Sequence, residues 1–304
     1  MNRHFYKYQG AGNDFIIIDA RSHDVELSQK EIEWLCNRRF GIGADGLMII
    51  KNDPNVDFNM RYFNADGNEG TLCGNGGRCI VAYAARNGKS HFTFSAIDGI
   101  HNAQVLDYHG HTQSLDNHEC AQALDHYGHT LQIRLGMNEV ENVHLYGEEG
   151  YFLDTGSPHL VLFQTDLLHY EVATHGAFWR NHPDFSPKGT NVNFVEIEPD
   201  GTLFVRTFER GVEDETFACG TGVTASAIAA YLRTKDSVAQ KLDKNHIHNI
   251  DKNHTYNIDN NHTYNVKVLG GHLQVSFQTD GVHFSHIKLT GPATFVFEGY
   301  ITTQ

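Results

Sequence analysis

The sequence has little of what marks an exported, membrane-spanning or nucleic-acid-binding protein. No apolar run reaches the roughly 18 residues that a bilayer-spanning helix needs, and residues 1–7 lack the basic-then-apolar order of an export signal. Lys and Arg number 23 against 37 Asp and Glu, a formal net charge of −14. Nucleic-acid binding depends on clustered basic side chains, and the only adjacent Lys or Arg residues in this sequence are Arg38 and Arg39. DNA and RNA are therefore disfavoured as partners. These absences predict a cytoplasmic protein with a small or zwitterionic ligand.

Cysteine is also scarce, with 5 residues in 304. An odd count without a ladder of even spacings argues against a secreted disulfide scaffold, so the thiols are expected to be reduced. Cys36 and Cys79 are predicted to be core residues, whereas Cys120 lies in a duplicated segment. No C-x-x-C pair or ligand-spaced histidine accompanies Cys73 and Cys219, which disfavours a zinc site at either.

The most informative feature of the chain is a weak internal repeat. Two segments, Glu69–Gly76 and Glu215–Gly222, have the form E-x-x-x-C-G-x-G, and each runs into an apolar stretch containing alanine. Further matches precede them in the same order at offsets of 144 to 146 residues: Arg61–Asn64 with Arg206–Glu209, Gly43–Asp45 with Gly189–Asn191, and Gly12–Ile16 with Gly156–Leu160. This order predicts two similar domains.

Secondary-structure patterns favour an α+β fold over a doubly wound parallel sheet, which would need a helix after nearly every strand. Short β-branched or aromatic runs predict strands at Phe15–Ile18, Leu47–Ile50, Asp57–Phe63, Leu160–Phe163, Val192–Ile197 and Leu203–Phe208. Helical patterns occur at Gln29–Asn37, Gly76–Arg86 and Gly222–Arg233. We expect two pseudo-symmetric domains, each a mainly antiparallel or mixed sheet wrapping a central helix, with the active site in the cleft between them. The N-terminal domain is placed at 1–140, completed by the last strand at about 292–304, and the C-terminal domain at 141–291.

Two inserted duplications interrupt this plan. Residues 243–266 repeat with a period of eight, and residues 106–130 contain two copies of a shorter pattern. His246, His254 and His262 could collect zinc or nickel, but a polar surface extension is the favoured interpretation of such a tract.

The two cysteine motifs carry the chemistry. Their glycines permit a tight turn that opens a helix, and the unpaired N–H groups and dipole at a helix start bind a carboxylate. The same positive end lowers the pKa of a thiol placed there. Two such ends around one carboxylate would put a sulfur on either face of the α-carbon, so that one thiolate removes the proton and the other thiol returns one. The pair therefore predicts an amino-acid racemase or epimerase.

Segments Phe63–Cys79 and Glu209–Gly222 resemble the two signatures of the diaminopimelate epimerases. Gly10–Phe15, Arg39–Gly46 and Gly156–His159 are similar to further landmarks of that family, and the resemblance covers nearly the whole chain apart from the inserts. It implies a cofactor-free, metal-free interconversion of LL- and meso-2,6-diaminopimelate by a cytoplasmic homodimer, in lysine and peptidoglycan-precursor biosynthesis.

The resemblance also implies a role for each matching residue. Cys73 and Cys219 would be the acid/base pair, and the substrate-binding set would be Asn13, Asn64, Gly74, Asn75, Asn191, Glu209, Arg210, Gly220 and Thr221. His159 and Glu209 would adjust the cysteine pKa values. Ser157 stands where many members have asparagine, and Gly46 where some have glutamine. The shorter side chain of Ser157 predicts a water-bridged contact with the substrate in place of a direct one.

Other interpretations of the same residues stay open. Asn13 and Asn64 could be turn residues, Arg210 a surface ion pair and His159 a satisfied loop histidine. The nearest functional rival is a racemase or epimerase of the same fold that acts on proline or hydroxyproline. A rival from another class is a noncatalytic protein that uses the helix ends to hold an anion, or a disulfide between the two motif cysteines.

Overall fold

The chain forms two compact units in the computed structural model, which describes residues 2–108, 130–147, 150–244 and 261–302. The N-terminal unit comprises Met1–Gly136, Val268–Leu273 and Leu289–Gln304, and the C-terminal unit Met137–Lys267 and Gln274–Lys288. The last strands of the chain thus contribute residues to both units. Within the described ranges, no helix combines the length and the apolar character needed to cross a bilayer.

Strands outnumber helices in both units, which confirms the predicted α+β class with its mixed sheet. The N-terminal unit begins with β1 (Asn2–Gly10), β2 (Asn13–Asp19), α1 (Gln29–Cys36), β3 (Gly46–Lys51), β4 (Phe58–Asn64), β5 (Glu69–Gly70), α2 (Gly74–Ala84), β6 (His91–Ala96), β7 (Gly99–Tyr108) and β8 (Thr130–Gly136). There follow β9 (Val143–Tyr146), β10 (Gly150–Asp154), β11 (Pro158–Phe163), α3 (Val172–Arg180), β12 (Asn191–Ile197), β13 (Leu203–Glu209), β14 (Asp214–Thr216), α4 (Gly220–Lys244), β15 (Asn261–Val268), β16 (Gly271–Thr279) and β17 (Phe284–Thr302). All six predicted strands and all three predicted helices are present.

The two units repeat one pattern of strand pairing. In the N-terminal unit β2 pairs parallel with β3, β3 antiparallel with β4, β4 antiparallel with β5, and β4 parallel with β6. In the C-terminal unit β11, β12, β13, β14 and β15 pair in the same way. Helices α2 and α4 follow the equivalent short strands β5 and β14. The internal repeat in the sequence therefore corresponds to a repeated arrangement of strands and helix.

Helices α2 and α4 lie in the cores of their units. Every residue of α2 is buried, as expected of a helix without a polar face, and residues 222–231 of α4 are buried likewise. Helix α2 begins at Gly74, two residues before the prediction, and gives way to a 3-10 turn at Ala85–Asn87. Helix α4 continues to Lys244 instead of ending near Arg233, because no glycine or proline follows to stop it.

A short helix connects the parallel strands in each unit. Ser28 caps α1 in a capping box with Glu31, and the helix buries Ile32 and Leu35. The equivalent α3 was not predicted, since Gly176 interrupts its pattern. A Cβ on Gly176 would lie 2.3 Å from the Cβ of Phe208, so only glycine fits between this helix and β13.

Most of the two duplications lies outside the described residues, including Cys120, His246 and His254. Of the period-eight repeat, residues 243–244 end α4 and residues 261–266 belong to β15. The His262 ring packs against Tyr231 and Phe277, with ring centroids 4.5 and 5.7 Å away.

Candidate active site

Cys73 is the N-cap residue of α2, as predicted. Its backbone is extended (φ −84°, ψ 123°), and its carbonyl accepts the N–H of Gly77 at 2.7 Å, so the helix begins directly after the cysteine. The loop before it is fixed by Asp98, which accepts the N–H of Leu72 at 3.2 Å and lies 3.2 Å from Nε2 of His101. The half-buried thiol is therefore held at the positive end of a buried helix.

Asn75 is held by a buried cation that the sequence did not single out. The guanidinium of Arg78 is fully buried and donates to Oδ1 of Asn75 at 2.8 Å, to the Gly74 carbonyl at 3.2 Å and to the Pro292 carbonyl at 3.3 Å. Burial lowers the pKa of Arg78, whereas the neighbouring thiols of Cys79 and Cys73 act in the opposite direction. The orientation of the Asn75 amide at the helix start follows from these bonds.

Asn13 and Asn64 lie where strands meet turns. Ala11 and Gly12 form the two-residue turn between β1 and β2 with φ of 53° and 90°, and Asn13 is the first residue of β2, paired with Gly10. Positive φ at both central residues is what a tight hairpin requires. Asn64 ends β4, and its Oδ1 accepts from the hydroxyl of Tyr62 at 2.9 Å. Both asparagines stay predicted substrate ligands.

Asp14 anchors the turn that carries Asn13. Its carboxylate binds Lys7 at 2.8 Å and Arg38 at 2.7 Å, and it accepts the N–H of Asp45 at 3.1 Å. Although burial acts to raise the pKa of Asp14, hydrogen bonds from Arg38 and Lys7 hold it well below its usual range. The carboxylate therefore stays charged and ties β2 to the loop before β3.

Cys219 immediately precedes Gly220, the first residue of α4, as predicted. The thiol is buried, and its Sγ lies 3.5 Å from Oγ1 of Thr221. The backbone carbonyl of Thr221 accepts from the hydroxyl of Thr155 at 2.9 Å, which ties the helix start to the loop between β10 and β11. Hence Thr221 offers a hydroxyl beside the sulfur, and its backbone N–H belongs to the first turn of the helix.

His159 lies in β11, not in a loop, and is fully buried. Its Nε2 lies 2.9 Å from Oγ1 of Thr221 and 3.0 Å from Oγ of Ser157, and its Nδ1 lies 3.0 Å from Nδ2 of Asn193. Burial lowers the pKa of His159 to about 3, and the positive charge of Arg210 acts in the same direction. The imidazole is therefore neutral near pH 7.

The remaining predicted ligands of the C-terminal unit meet around Asn191. Its buried side chain accepts the backbone N–H of Arg210 at 2.9 Å and donates to the Pro158 carbonyl at 3.0 Å. Glu209 accepts from the hydroxyl of Thr216 at 3.1 Å. The Arg210 guanidinium has long contacts of 3.4 and 3.5 Å to backbone carbonyls. Within the described part of the chain it forms no ion pair, so the surface ion pair considered above is not observed.

The structure explains the glutamate of the E-x-x-x-C-G-x-G repeat. Glu69 accepts two hydrogen bonds of 2.9 Å from Arg61, and Glu215 accepts bonds of 2.6 and 2.7 Å from Arg206. Each bidentate pair joins the strand before the cysteine to its neighbour, β5 to β4 and β14 to β13. The repeated Arg and Glu therefore hold the two cysteine loops in place.

We expect Glu215→Gln to lower the free energy of unfolding more than the matched change Glu69→Gln. Arg206 and Glu215 keep only 13% and 18% of their side-chain exposure, against 31% and 28% for Arg61 and Glu69. A hydrogen bond to a charged group contributes about 1.5–3 kcal/mol when shielded, but an exposed ion pair about 0.2–1 kcal/mol. Urea unfolding followed by circular dichroism measures both variants, and equal losses would contradict this explanation.

Comparison with known proteins places the chain in a family. The family model described as diaminopimelate epimerase matches residues 5–114 and 151–296. A diaminopimelate epimerase of Flavobacterium psychrophilum is 41% identical, covering 96% of this chain and 98% of the relative, and one of Chlorobaculum tepidum is 37% identical, covering 96% and 99%.

Solved structures share the fold at much lower identity. A PhzF-family phenazine biosynthesis protein of Bacillus anthracis has a TM-score of 0.66 at 15% identity, covering all of both chains. A hydroxyproline epimerase of Agrobacterium vitis has a TM-score of 0.58 at 12% identity, covering 99% of this chain and 92% of that one. The matches over nearly its full length, together with two cysteines set at equivalent helix starts, show that this chain belongs to the diaminopimelate epimerase family.

Proposed function

We propose that this chain interconverts LL- and meso-2,6-diaminopimelate, with Cys73 and Cys219 as the acid/base pair, in lysine and peptidoglycan-precursor biosynthesis. Membership of the family makes the chain an isomerase. The observation that carries the residue assignment is that each cysteine directly precedes the first residue of a core helix, in the same position of a repeated supersecondary unit.

The proposed reaction exchanges one proton for another on the α-carbon. The thiolate of one cysteine takes the α-hydrogen as a proton, and the electron pair of the broken C–H bond delocalises into the carboxylate. The thiol of the other cysteine then donates its proton to the opposite face, so the two sulfurs exchange protonation states. Backbone N–H groups at Gly74, Asn75, Gly220 and Thr221 would stabilise the charge that builds on the carboxylate.

Substrate choice is assigned to polar groups outside the cysteine turns. Arg210 forms no ion pair with a carboxylate in the described residues, although its charge helps to lower the pKa of Glu213, and its guanidinium could bind the distal carboxylate in bidentate fashion. Asn13, Asn64, Asn191 and Glu209 complete the proposed set, and Glu209 with His159 would tune the two cysteines. The hydroxyl of Ser157 accepts from Asn191 at 3.3 Å and lies 3.2 Å from Oγ1 of Thr221. These contacts support the proposal that Ser157 holds Asn191 and Thr221 in place.

Hydrogen exchange in D₂O tests the proposed substrate. We expect the wild-type chain to incorporate deuterium at the α-carbon of LL-diaminopimelate while meso product forms, as measured by NMR and chiral chromatography. L-Proline and trans-4-hydroxy-L-proline are the comparison substrates, since neither has a distal amino-acid group for Arg210. If proline or hydroxyproline exchanged its α-hydrogen as fast as diaminopimelate does, the rival proline or hydroxyproline racemase would be favoured. If none of the three compounds exchanged, the noncatalytic protein would be favoured.

We also propose a homodimer, on the strength of the family resemblance, and a cytoplasmic location, for which the odd cysteine count is the support because it favours reduced thiols. Exposed apolar side chains on β17, including Phe297 and Tyr300, give the chain a surface that association could cover. Sedimentation equilibrium of the full chain measures the assembly, and a monomer across the micromolar range would contradict the dimer.

A further inference from the structure

The two units differ beneath the first turn of their cysteine helices. In the N-terminal unit, a Cβ on Gly76 would lie 3.3 Å from Sδ of Met48 and 3.5 Å from Cε1 of Phe15. In the C-terminal unit, a Cβ on the equivalent Gly222 would lie 2.2 Å from Oδ1 of Asn193. An apolar lining in one unit is thus replaced by a polar one in the other.

Strand register shows that these residues occupy equivalent positions. In the parallel pair β2–β3, Met48 lies opposite Ile17, which follows Phe15 by two residues and so lies on the same face of the strand. In the parallel pair β11–β12, Asn193 lies opposite Val161, which follows His159 by two residues in the same way. Phe15 and Met48 therefore correspond to His159 and Asn193. The register aligns Gly46 with Asn191, one residue away from the match of Gly43–Asp45 with Gly189–Asn191 in the sequence. Because the apolar pair supports the same fold, the polar pair is not needed to build it.

The neighbours of Asn193 fix the orientation of its amide. Its Oδ1 accepts from the hydroxyl of Thr207 at 3.0 Å, and its Nδ2 donates to the Leu160 carbonyl at 3.2 Å and to Nδ1 of His159 at 3.0 Å. A rotated amide would set its oxygen against the Leu160 carbonyl, which can only accept. Since Nδ1 of His159 accepts from an amide donor, it carries no proton, and the single proton of the neutral ring lies on Nε2.

We propose that Asn193 is a positioning residue, which holds His159 in the Nε2–H tautomer so that the imidazole donates to Thr221 and leaves the Thr221 hydroxyl proton for Cys219. The inference rests on the proposed function, because it concerns one of the two proposed acid/base cysteines. With Nε2 as donor, the oxygen of Thr221 accepts, which leaves its own hydrogen for Sγ, 3.5 Å away. Ser157, 3.2 Å from the same hydroxyl, accepts from Asn191 and can in turn donate to Thr221.

The opposite tautomer would reverse this chain of hydrogen bonds. An unprotonated Nε2 would instead accept a hydroxyl hydrogen. When that hydrogen comes from Thr221, the nearer hydroxyl at 2.9 Å, Cys219 loses this hydrogen bond. A hydroxyl that donates to sulfur stabilises the thiolate, which is the form that removes the α-proton. In this arrangement the neutral ring of His159 accepts from Asn193 at Nδ1 and donates to Thr221 at Nε2, so His159 acts as a hydrogen-bond donor and not as a base.

Nitrogen-15 NMR of the full chain reads the tautomer directly. In protein labelled at histidine, the His159 signals are those lost in His159→Gln, at pH 7 and without substrate. We expect a pyridine-type Nδ1 and a pyrrole-type Nε2 in the wild type. A protonated Nδ1, or a doubly protonated ring, would overturn the proposal, and this wild-type measurement does not depend on the folding of any variant.

Asn193→Asp tests the role of the amide. The carboxylate of the variant can only accept from Nδ1 of His159, so we expect a proton on Nδ1. We also expect kcat for epimerisation to fall about tenfold to a hundredfold with KM unchanged, because the hydrogen bond from Thr221 to the charged sulfur of Cys219 is lost. Asn181→Asp, on an exposed side chain, adds the same charge and should keep both readouts. An unchanged tautomer or an unchanged kcat in Asn193→Asp would overturn the proposal. Failure of the proposed function would instead appear as no exchange in the wild type, whatever its tautomer.

Discussion

We expect Cys73→Ala and Cys219→Ala each to lower kcat/KM for epimerisation of LL-diaminopimelate by about a hundredfold to ten-thousandfold or more. This is the range expected when a group that transfers a proton in the transition state is removed, and either cysteine alone leaves the reaction without its donor or its acceptor. The measurement is formation of the meso isomer together with α-deuterium incorporation from D₂O.

The matched control for these variants is Cys36→Ala. Cys36 is also a thiol in the N-terminal unit, but it is packed in the core formed with Ile32 and Leu35, where burial raises its pKa to about 12. We expect its replacement to lower stability without changing kcat. If Cys73→Ala or Cys219→Ala kept wild-type epimerisation, the two-base mechanism would be wrong.

Gly222→Ala is expected to impair the enzyme far more than the equivalent Gly76→Ala. A methyl group on residue 222 would lie 2.2 Å from Oδ1 of Asn193, so the buried amide has to move and its bond to His159 breaks. Overpacking of this kind costs about 1–3 kcal/mol in the free energy of unfolding. On residue 76 the methyl meets the flexible end of Met48 at 3.3 Å, and the helix propensity gained over glycine, about 1 kcal/mol, offsets the contact.

Thermal or urea unfolding and kcat measured on both variants separate these effects. Gly222→Ala should lose stability and at least about tenfold in kcat, the effect of one lost hydrogen bond to a charged group, while Gly76→Ala should stay close to the wild type in stability. Equal effects at the two positions would mean that the polar lining of the C-terminal unit has no special role.

The sequence was sufficient where the signal was local. Strand β2 and helix α2 were predicted from short runs of side chains, and the start of a helix after each cysteine followed from the glycines. The errors were also local in origin. Helix α3 was missed because Gly176 weakens its pattern, although that glycine is required by the packing of Phe208. Helix α4 ran past its predicted end because nothing in the sequence marks the stop near Arg233.

The buried polar residues were harder to interpret. In the sequence, Arg78 is one charge in an apolar helical segment, and Asn193 is one polar residue in a strand-like run. A polar residue two places after Asn191, on the same face of a buried strand, was the available signal for Asn193. What it binds depends on Leu160, His159 and Thr207, which are 14 to 34 residues away along the chain.

By itself, the sequence determined that two cysteines stand at equivalent helix starts in a repeated α+β plan, because turn chemistry and periodicity are local properties. Only the tertiary structure decided what surrounds each of them. Strand register brings Phe15 and Met48 beneath one cysteine turn, and His159 and Asn193 beneath the other. Hydrogen-bond partners across neighbouring strands are set by register and packing, and no local pattern of residues specifies them.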